Sequence, residues 1–246
     1  METASRVIGA IRPMPNISAA LDALDLSRKE MPTVVGFINQ HALNMALADE
    51  EFRVDLLSAD LLLRDGKGME MACQWLGRDP GANLNGTDLI PLLLTRNIGR
   101  RVALFGTTEP WLGQARARLQ REGHLVVAAM DGFKDDAAYI ETVKTRRPEI
   151  VILAMGMPRQ EHVAAVLAQH AEGPLLIVNG GAILDFLAGR VSRAPAWMRG
   201  AGLEWAYRLM LEPRRLARRY LLGIPLFFLH VTRARWSMKA VLKAQA

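Results

Sequence analysis

Short apolar, β-branched runs alternate with stretches of helical periodicity along most of the chain. Val7–Ile11, Val34–Ile38, Leu61–Leu63, Val102–Phe105, Leu125–Ala129, Ile150–Ala154 and Leu175–Val178 read as strands, because each run is short and bounded by turn residues. Between them, residues 39–57, 67–76, 88–97, 110–122, 135–146 and 159–171 read as helices. Strands that lack a polar face belong in a parallel sheet covered on both sides. The expected fold is therefore α/β, with a mostly parallel, Rossmann-like sheet and helices on both faces. From Val191 strand runs cease, Arg and Trp become frequent, and Pro195, Pro213 and Pro225 divide the chain into short helices. The expected organisation is an α/β domain over 1–190 and a helical, basic, amphipathic C-terminal appendage over 191–246.

Charge sharpens that boundary. The chain has 246 residues and a net charge of +6. Residues 190–246 hold 12 Lys/Arg against 2 Asp/Glu, a net of +10, whereas residues 1–189 hold 19 against 23, a net of −4. The basic end predicts an anionic partner: lipid headgroups, a diphosphate or nucleic acid. Nucleic acid is the weaker choice, since no basic run interleaved with aromatics precedes residue 190. The single cysteine, Cys73, excludes an intrachain disulfide and fits a reducing compartment. Residues 1–12 lack the apolar core of a signal peptide. The longest apolar run, Tyr220–Val231, falls short of the ~20 residues that a membrane span needs. The expected location is the cytoplasmic face of a membrane, with peripheral attachment.

Ligands of open parallel sheets bind beyond the carboxyl ends of the strands. Five strand ends carry polar or glycine residues: Asn39; Arg64-Asp65-Gly66; Gly106-Thr107-Thr108; Gly156-Met157-Pro158-Arg159-Gln160-Glu161; and Asn179-Gly180-Gly181, with Asp185 beyond. Asp65 reads either as a general base for a hydroxyl nucleophile or as the first half of an Asp-Gly turn. Gly86-Thr87-Asp88 opens a helix, with Thr87 as the expected N-cap and Asp88 in the first turn. The same helix start would suit a phosphate or ribose. Gly156 and Gly180-Gly181 suit either close approach to a ligand or a tight turn. Arg159 and Gln160 face a ligand or solvent. The chain has no G-x-G-x-x-G or P-loop glycine pattern, no G-x-S-x-G elbow, no Cys/His cluster and no Asp-x-Asp pair. A nicotinamide-dependent enzyme is disfavoured on that ground. The site is expected to work without a metal or cofactor, with leaving-group charge met by arginines and helix N-termini.

In the basic tail Arg214, Arg215, Arg218 and Arg219 share one helical arc, and Leu209, Leu216, Ala217, Tyr220 and Leu221 share the other. The pattern reads as an interfacial helix among anionic headgroups, with Trp197, Trp205 and Trp236 at the same boundary. The alternative is a helix that packs its apolar face on the domain and solvates its arginines. So apolar a tail could equally pair with a second copy of the chain in a homo-oligomer.

Taken together, these motifs resemble the WecG/TagA/CpsF family of bacterial glycosyltransferases (family 26). The resemblance runs from about Val34 to Tyr220. It rests on Asp65-Gly66, Gly86-Thr87-Asp88-Leu89, Gly156-x-Pro158-x-Gln160-Glu161, Gly180-Gly181 with Asp185, Arg193-Ala194-Pro195 and Gly202-Leu203-Glu204-Trp205-x-Tyr207-Arg208. It implies an inverting, metal-independent transfer of a sugar from a UDP-sugar to a polyprenyl-diphosphate-linked sugar. The products would be precursors of teichoic acid, common antigen or exopolysaccharide. It further implies that Asp65 is the base, Asn39 an active-site residue and Gln160 a donor contact. Arg193, Arg208, Arg214, Arg215, Arg218 and Arg219 would serve the acceptor and the membrane. Phe37 and Asn83 depart from the family pattern, which often has Thr and Arg at those places. A non-catalytic binding subunit of a polysaccharide assembly is the alternative function.

Overall fold

The computed structural model describes residues 2–244, except the side chains of Glu2, Arg215 and residues 238–244. The Arg215 side chain, assigned to the membrane surface above, thus lies outside the described residues. Six strands form one sheet: β1 (Thr33–Ile38), β2 (Leu61–Arg64), β3 (Arg101–Gly106), β4 (Leu125–Met130), β5 (Ile150–Ala154) and β6 (Leu176–Asn179). Their order is β2-β1-β6-β5-β3-β4, and every neighbouring pair is parallel. All their carboxyl ends therefore open on the same edge.

Side-chain alternation assigns the helices to faces. Val35, Phe37, Leu63, Leu104, Ile152 and Val178 point to one face. There they meet α2 (Ile17–Ala23), α6 (Gly86–Arg96), α7 (Trp111–Arg121) and α10 (Ile183–Leu187). On the other face, Ile38 and Leu62 meet α1 (Glu2–Gly9), α3 (Gln40–Ala48), α4 (Glu50–Leu57) and α5 (Lys67–Trp75). Further along that face, Phe105, Val151, Leu153 and Ile177 meet α8 (Asp136–Arg146) and α9 (Arg159–His170).

Four helices follow α10: α11 (Ala196–Gly200), α12 (Glu204–Leu211), α13 (Pro213–Leu221) and α14 (Gly223–Ala244). The last one returns to the core. Phe227, Val231 and Ala234 are buried among residues of α1, α3 and α5. The Gly223 carbonyl, at the start of α14, accepts from Asn44 Nδ2 at 2.7 Å. In α13, Leu216 and Tyr220 are buried while Arg214 and Arg218 are exposed. Tyr220 packs its ring on Trp205 of α12, with centroids 5.7 Å apart. The helices above the strand ends thus hang from a helix buried in the core.

Several expected elements differ. Val7–Ile11 is not a strand; Val7 and Ile8 belong to α1, because Ala4, Val7, Ile8 and Ile11 recur at helical spacing and all bury on one side. The expected helix over 39–57 is two helices, divided at Asp49, whose side chain accepts the Phe52 N–H and caps α4. Pro225 does not break the tail. It sits in the first turn of the 22-residue α14, where its missing N–H has no intrahelical partner to lose.

Removing the Phe227 ring tests the anchoring of α14. Phe227→Ala is expected to lower stability by about 3–5 kcal/mol in denaturant unfolding. A loss below about 1 kcal/mol, the scale of a surface change, would show that α14 is not part of the core.

Candidate active site

The β1–β2 ladder sets Asn39 beside Asp65. Ile38 is in register with Arg64, and the Asp65 N–H donates to the Ile38 carbonyl at 2.9 Å. Asn39 is the N-cap of α3: its Oδ1 accepts the N–H groups of His41 and Ala42 at 3.0 and 3.1 Å. With its oxygen so committed, Nδ2 is turned to Asp65 and donates to Oδ2 at 3.4 Å.

The loop after Asp65 is braced from below. Arg64 is 4% exposed, and its guanidinium donates to the carbonyls of Pro80, Gly66 and Gly81 and pairs with Glu70 at 3.4 Å. Gly66 takes φ +92°, a region that favours glycine. Its N–H donates to Asn83 Oδ1 at 2.7 Å. Sequence reasoning named Arg64 at a strand end without giving it a role, and gave Asn83 only as a departure from the family. A cation closing an apolar strand was the available signal, since a buried guanidinium demands several acceptors.

Charged groups of α12 and α13 act on Asp65. Burial pushes its carboxyl above the ordinary carboxylate range, and the nearby Glu204 adds to this. Arg208, the Asn39 hydrogen bond and Arg219 pull the other way without cancelling the rise. Arg208 pairs with Glu204 at 2.8 Å and lies 5.6 Å over the Phe186 ring of α10. His41, in the first turn of α3, is pushed down to about 4 by burial and by Arg219, and is neutral at physiological pH.

A second cluster surrounds the start of α6. Asn85, not Thr87, is the N-cap: its Oδ1 accepts the Asp88 N–H at 2.9 Å while its Nδ2 donates to Asp88 Oδ2 at 2.7 Å. The other Asp88 oxygen accepts from Arg193 at 2.6 Å, with Arg199 at 3.9 Å. Burial raises the Asp88 carboxyl, but the bonds from Arg193 and Asn85 outweigh it and hold it below its ordinary value. Gly86 lies against the Phe37 ring and Ile90. Ile90 also borders Gly180, so the α6 start and the β6 end share one floor.

The third cluster follows β5 and β6. Gln160 is buried; its Oε1 accepts the Gly181 N–H at 2.9 Å and its Nε2 donates to Glu161 Oε1 at 2.8 Å. Gly180 leaves little room for a side chain, because a Cβ there would run into the Ile183 Cγ2 methyl. Asn179 is buried beneath the turn. Asp185 accepts from Thr107, at the end of β3, at 2.6 Å and pairs with Arg190 at 3.3 Å. Gly156, at φ +78°, leads into α9.

Of the residues singled out in the sequence, Asn39, Asp65, Arg208 and Arg219 meet at the β1–β2 edge. Gly86, Thr87, Asp88 and Arg193 gather at the α6 start, and Gln160, Glu161, Asn179, Gly180 and Gly181 gather behind the β6 turn. Arg159 is turned to α8, where it pairs with Asp136 at 2.7 Å and donates to the Lys134 carbonyl. Arg214 and Arg218 are exposed on α13. The strand-end edge thus carries a carboxyl able to take a proton, and helix N-termini and arginines able to hold an anion.

Residues 11–241 match the sequence profile of the family described as Glycosyl transferase WecG/TagA/CpsF. The chain belongs to this family. It is a glycosyltransferase, and its similarity to named relatives is spread over most of its length. It is 26% identical over 231 residues to the N-acetylglucosaminyldiphosphoundecaprenol N-acetyl-β-D-mannosaminyltransferase of Bacillus subtilis (strain 168), covering 91% of this chain and 89% of the relative. The like-named protein of Bacillus spizizenii is 29% identical over 185 residues, covering 73% and 71%. That of Staphylococcus aureus (strain NCTC 8325) is 26% identical over 206 residues, covering 82% and 80%.

The Asn39–Asp65 contact makes a directional prediction for this glycosyltransferase. Asn39→Asp keeps the α3 cap but replaces a hydrogen-bond donor by a second carboxylate. Like charges disfavour ionisation, so the Asp65 carboxyl is expected to rise further and the acidic limb of the pH–rate profile to move to higher pH. An unmoved limb in a folded Asn39→Asp protein would separate Asp65 from that limb.

Proposed function

We propose that this glycosyltransferase moves an N-acetylhexosaminyl group from a UDP-sugar to a polyprenyl-diphosphate-linked sugar, with inversion and without a metal. The observation that carries the reading is the half-buried Asp65 carboxyl, raised yet flanked by Arg208 and Arg219 at the β1–β2 edge. Asp65 takes the proton of the acceptor hydroxyl as its oxygen forms a bond to the anomeric carbon. The bond from that carbon to the UDP oxygen breaks on the opposite side, and its electron pair leaves with UDP. The relatives' names print a β-linked product, and a β product from an α-linked nucleotide sugar requires inversion. Arginines and the first-turn N–H groups of α6 and α9 meet the diphosphate charge, which leaves a metal no necessary part.

The donor fits between the Gln160–Gly181 turn and the α6 start, and Asp185 with Thr107 closes the far end. The acceptor's lipid enters from the side of α11–α14. There Trp197, Met210, Leu221 and Trp236 are 68, 76, 68 and 69% exposed beside Arg214 and Arg218. Such a surface, apolar and basic together, suits an anionic membrane. No helix among the described residues is long and apolar enough to cross one. We place the protein at the cytoplasmic face of the inner membrane, in synthesis of a cell-surface polymer such as teichoic acid, common antigen or exopolysaccharide.

Asp65→Asn is expected to lower kcat by about 10²–10⁴-fold, the usual contribution of a general base. A base works when ionised, so the wild-type rate falls as pH drops through the raised Asp65 value, above the ordinary carboxylate range. UDP release from a panel of UDP-N-acetylhexosamines, dependent on a polyprenyl-diphosphate-N-acetylglucosamine acceptor and surviving EDTA, is the positive result. Near-wild-type transfer by folded Asp65→Asn would remove Asp65 from the mechanism.

The membrane surface is tested separately by vesicle co-sedimentation. Replacing Arg214 and Arg218 by Ala is expected to weaken binding to anionic vesicles by about 1 kcal/mol per arginine and to leave unfolding unchanged. Equal sedimentation of the variant and the parent would move the docking surface elsewhere.

A further inference from the structure

The donor half of the site contains a carboxyl group that the transfer step does not use. Glu161, in the first turn of α9, is 1% exposed. Its Oε1 accepts from Gln160 Nε2, and its Oε2 has no partner among the described residues. Gln160, 3% exposed, accepts the Gly181 N–H. One line of hydrogen bonds therefore runs from the Gly181 N–H through the Gln160 amide to the Glu161 carboxyl. The amide has a single orientation in that line: reversed, its NH2 would meet the Gly181 N–H and its oxygen would meet Glu161 Oε1. Asn179 Oδ1, on the sheet face covered by α9, is another buried oxygen without a partner among the described residues.

Burial of a carboxylate oxygen without a donor is unfavourable, whereas a carboxylic acid in the same place is neutral and brings a donor of its own. Among the described residues no cation acts on the Glu161 carboxyl. Of the elements packed against α9, α4 presents Asp55 and α8 presents Asp136, both bonded to His162 of α9, and Arg159 is spent on Asp136. The strands β1, β5 and β6 carry no titratable side chain. Burial accordingly pushes the Glu161 carboxyl up to about 7 against the Gln160 and backbone bonds, and the Asp55 carboxylate adds to the rise.

We propose that Glu161 is a positioning residue of the donor subsite that works as a neutral, proton-bearing acid, so that loss of its proton lowers affinity for the UDP-sugar. Protonated, it holds the Gln160 amide and the Gly181 turn without adding charge. Ionised, it is an uncompensated buried anion behind the turn that receives the donor diphosphate. It repels that diphosphate and draws water into the first turn of α9. The inference rests on the donor-site reading given above.

The test is calorimetric titration of the full chain with UDP-N-acetylglucosamine and UDP-N-acetylmannosamine, whose diphosphate diesters stay fully ionised, at about pH 6 and about pH 8.5. Full linkage to a group near 7 makes wild-type binding up to about 30-fold weaker at the higher pH. Glu161→Gln keeps an acceptor for Gln160 but cannot ionise, and its affinity is expected to change less than about 2-fold over the same range. Wild-type binding that is equally tight at both values, or a Glu161→Gln protein as pH-sensitive as the parent, overturns the proposal. Absence of any UDP-sugar binding by the wild type removes the donor-site reading itself, and the proposal with it. Infrared spectroscopy covers the case in which Glu161→Gln does not fold. In an Asp65→Asn background, a protonated-carboxyl stretch is expected to disappear as pH rises through about 7, and its absence at the lower pH overturns the proposal.

Discussion

Asp65 reaches the site because β2 has one register against β1. Ile38 stands opposite Arg64, so the residues that follow, Asn39 and Asp65, leave the sheet side by side. Side chains alternate along a strand, and a slip of one position would turn Asp65 to the opposite face and Arg64 out of its ring of carbonyls. Both faces of β2 are buried, which penalises that slip on either side. Arg64 adds a polar lock, since no neighbouring register offers the same three acceptors. The geometry of this strand edge is thus an extension of backbone pairing, with the side chains at the edge inheriting their places.

The second organising feature is the return of the tail to the core. Charge and proline spacing suggest a separable, basic appendage, and the helices α11–α13 do carry the basic and exposed apolar groups. Yet α14 places Phe227, Val231 and Ala234 among α1, α3 and α5. The arginines that act on Asp65 are therefore positioned by hydrophobic burial elsewhere in the molecule. The exposed apolar and basic groups, the charges that act on Asp65 and part of the core lie on successive helices of one run.

Much of this was legible in the sequence. All six strands of the sheet stand as apolar runs; β1, β2, β5 and β6 are buried along their whole length, which leaves few polar positions to confuse the reading. The polar residues at their ends mark the site edge for the same reason: there the core stops and backbone groups need partners. What escaped was decided by distant contacts. Val7–Ile11 reads as a strand over five residues, and only the wider window with Ala4 reveals the face that α14 covers. Thr87 and Asn85 are both good caps, and the choice fell to Asn85 because its amide also reaches Asp88. Asn83 reads as a lost charge, yet it holds the Gly66 N–H, a role visible only once two loops are brought together. The burial of Glu161 likewise depends on packing that local pattern does not encode.

The bond from Asn44 to the Gly223 carbonyl joins residues 179 positions apart, and the contact of α1 with α14 is longer still. Proteins are made from the amino end, and contacts of such separation close late. During synthesis the apolar stripe Ala4, Val7, Ile8, Ile11 can meet α3 early, but the side that α14 covers stays bare until α14 arrives. The newborn chain therefore carries a partly sheltered, sticky flank for most of its elongation. It gains the charges that act on Asp65 and loses that flank in the same event.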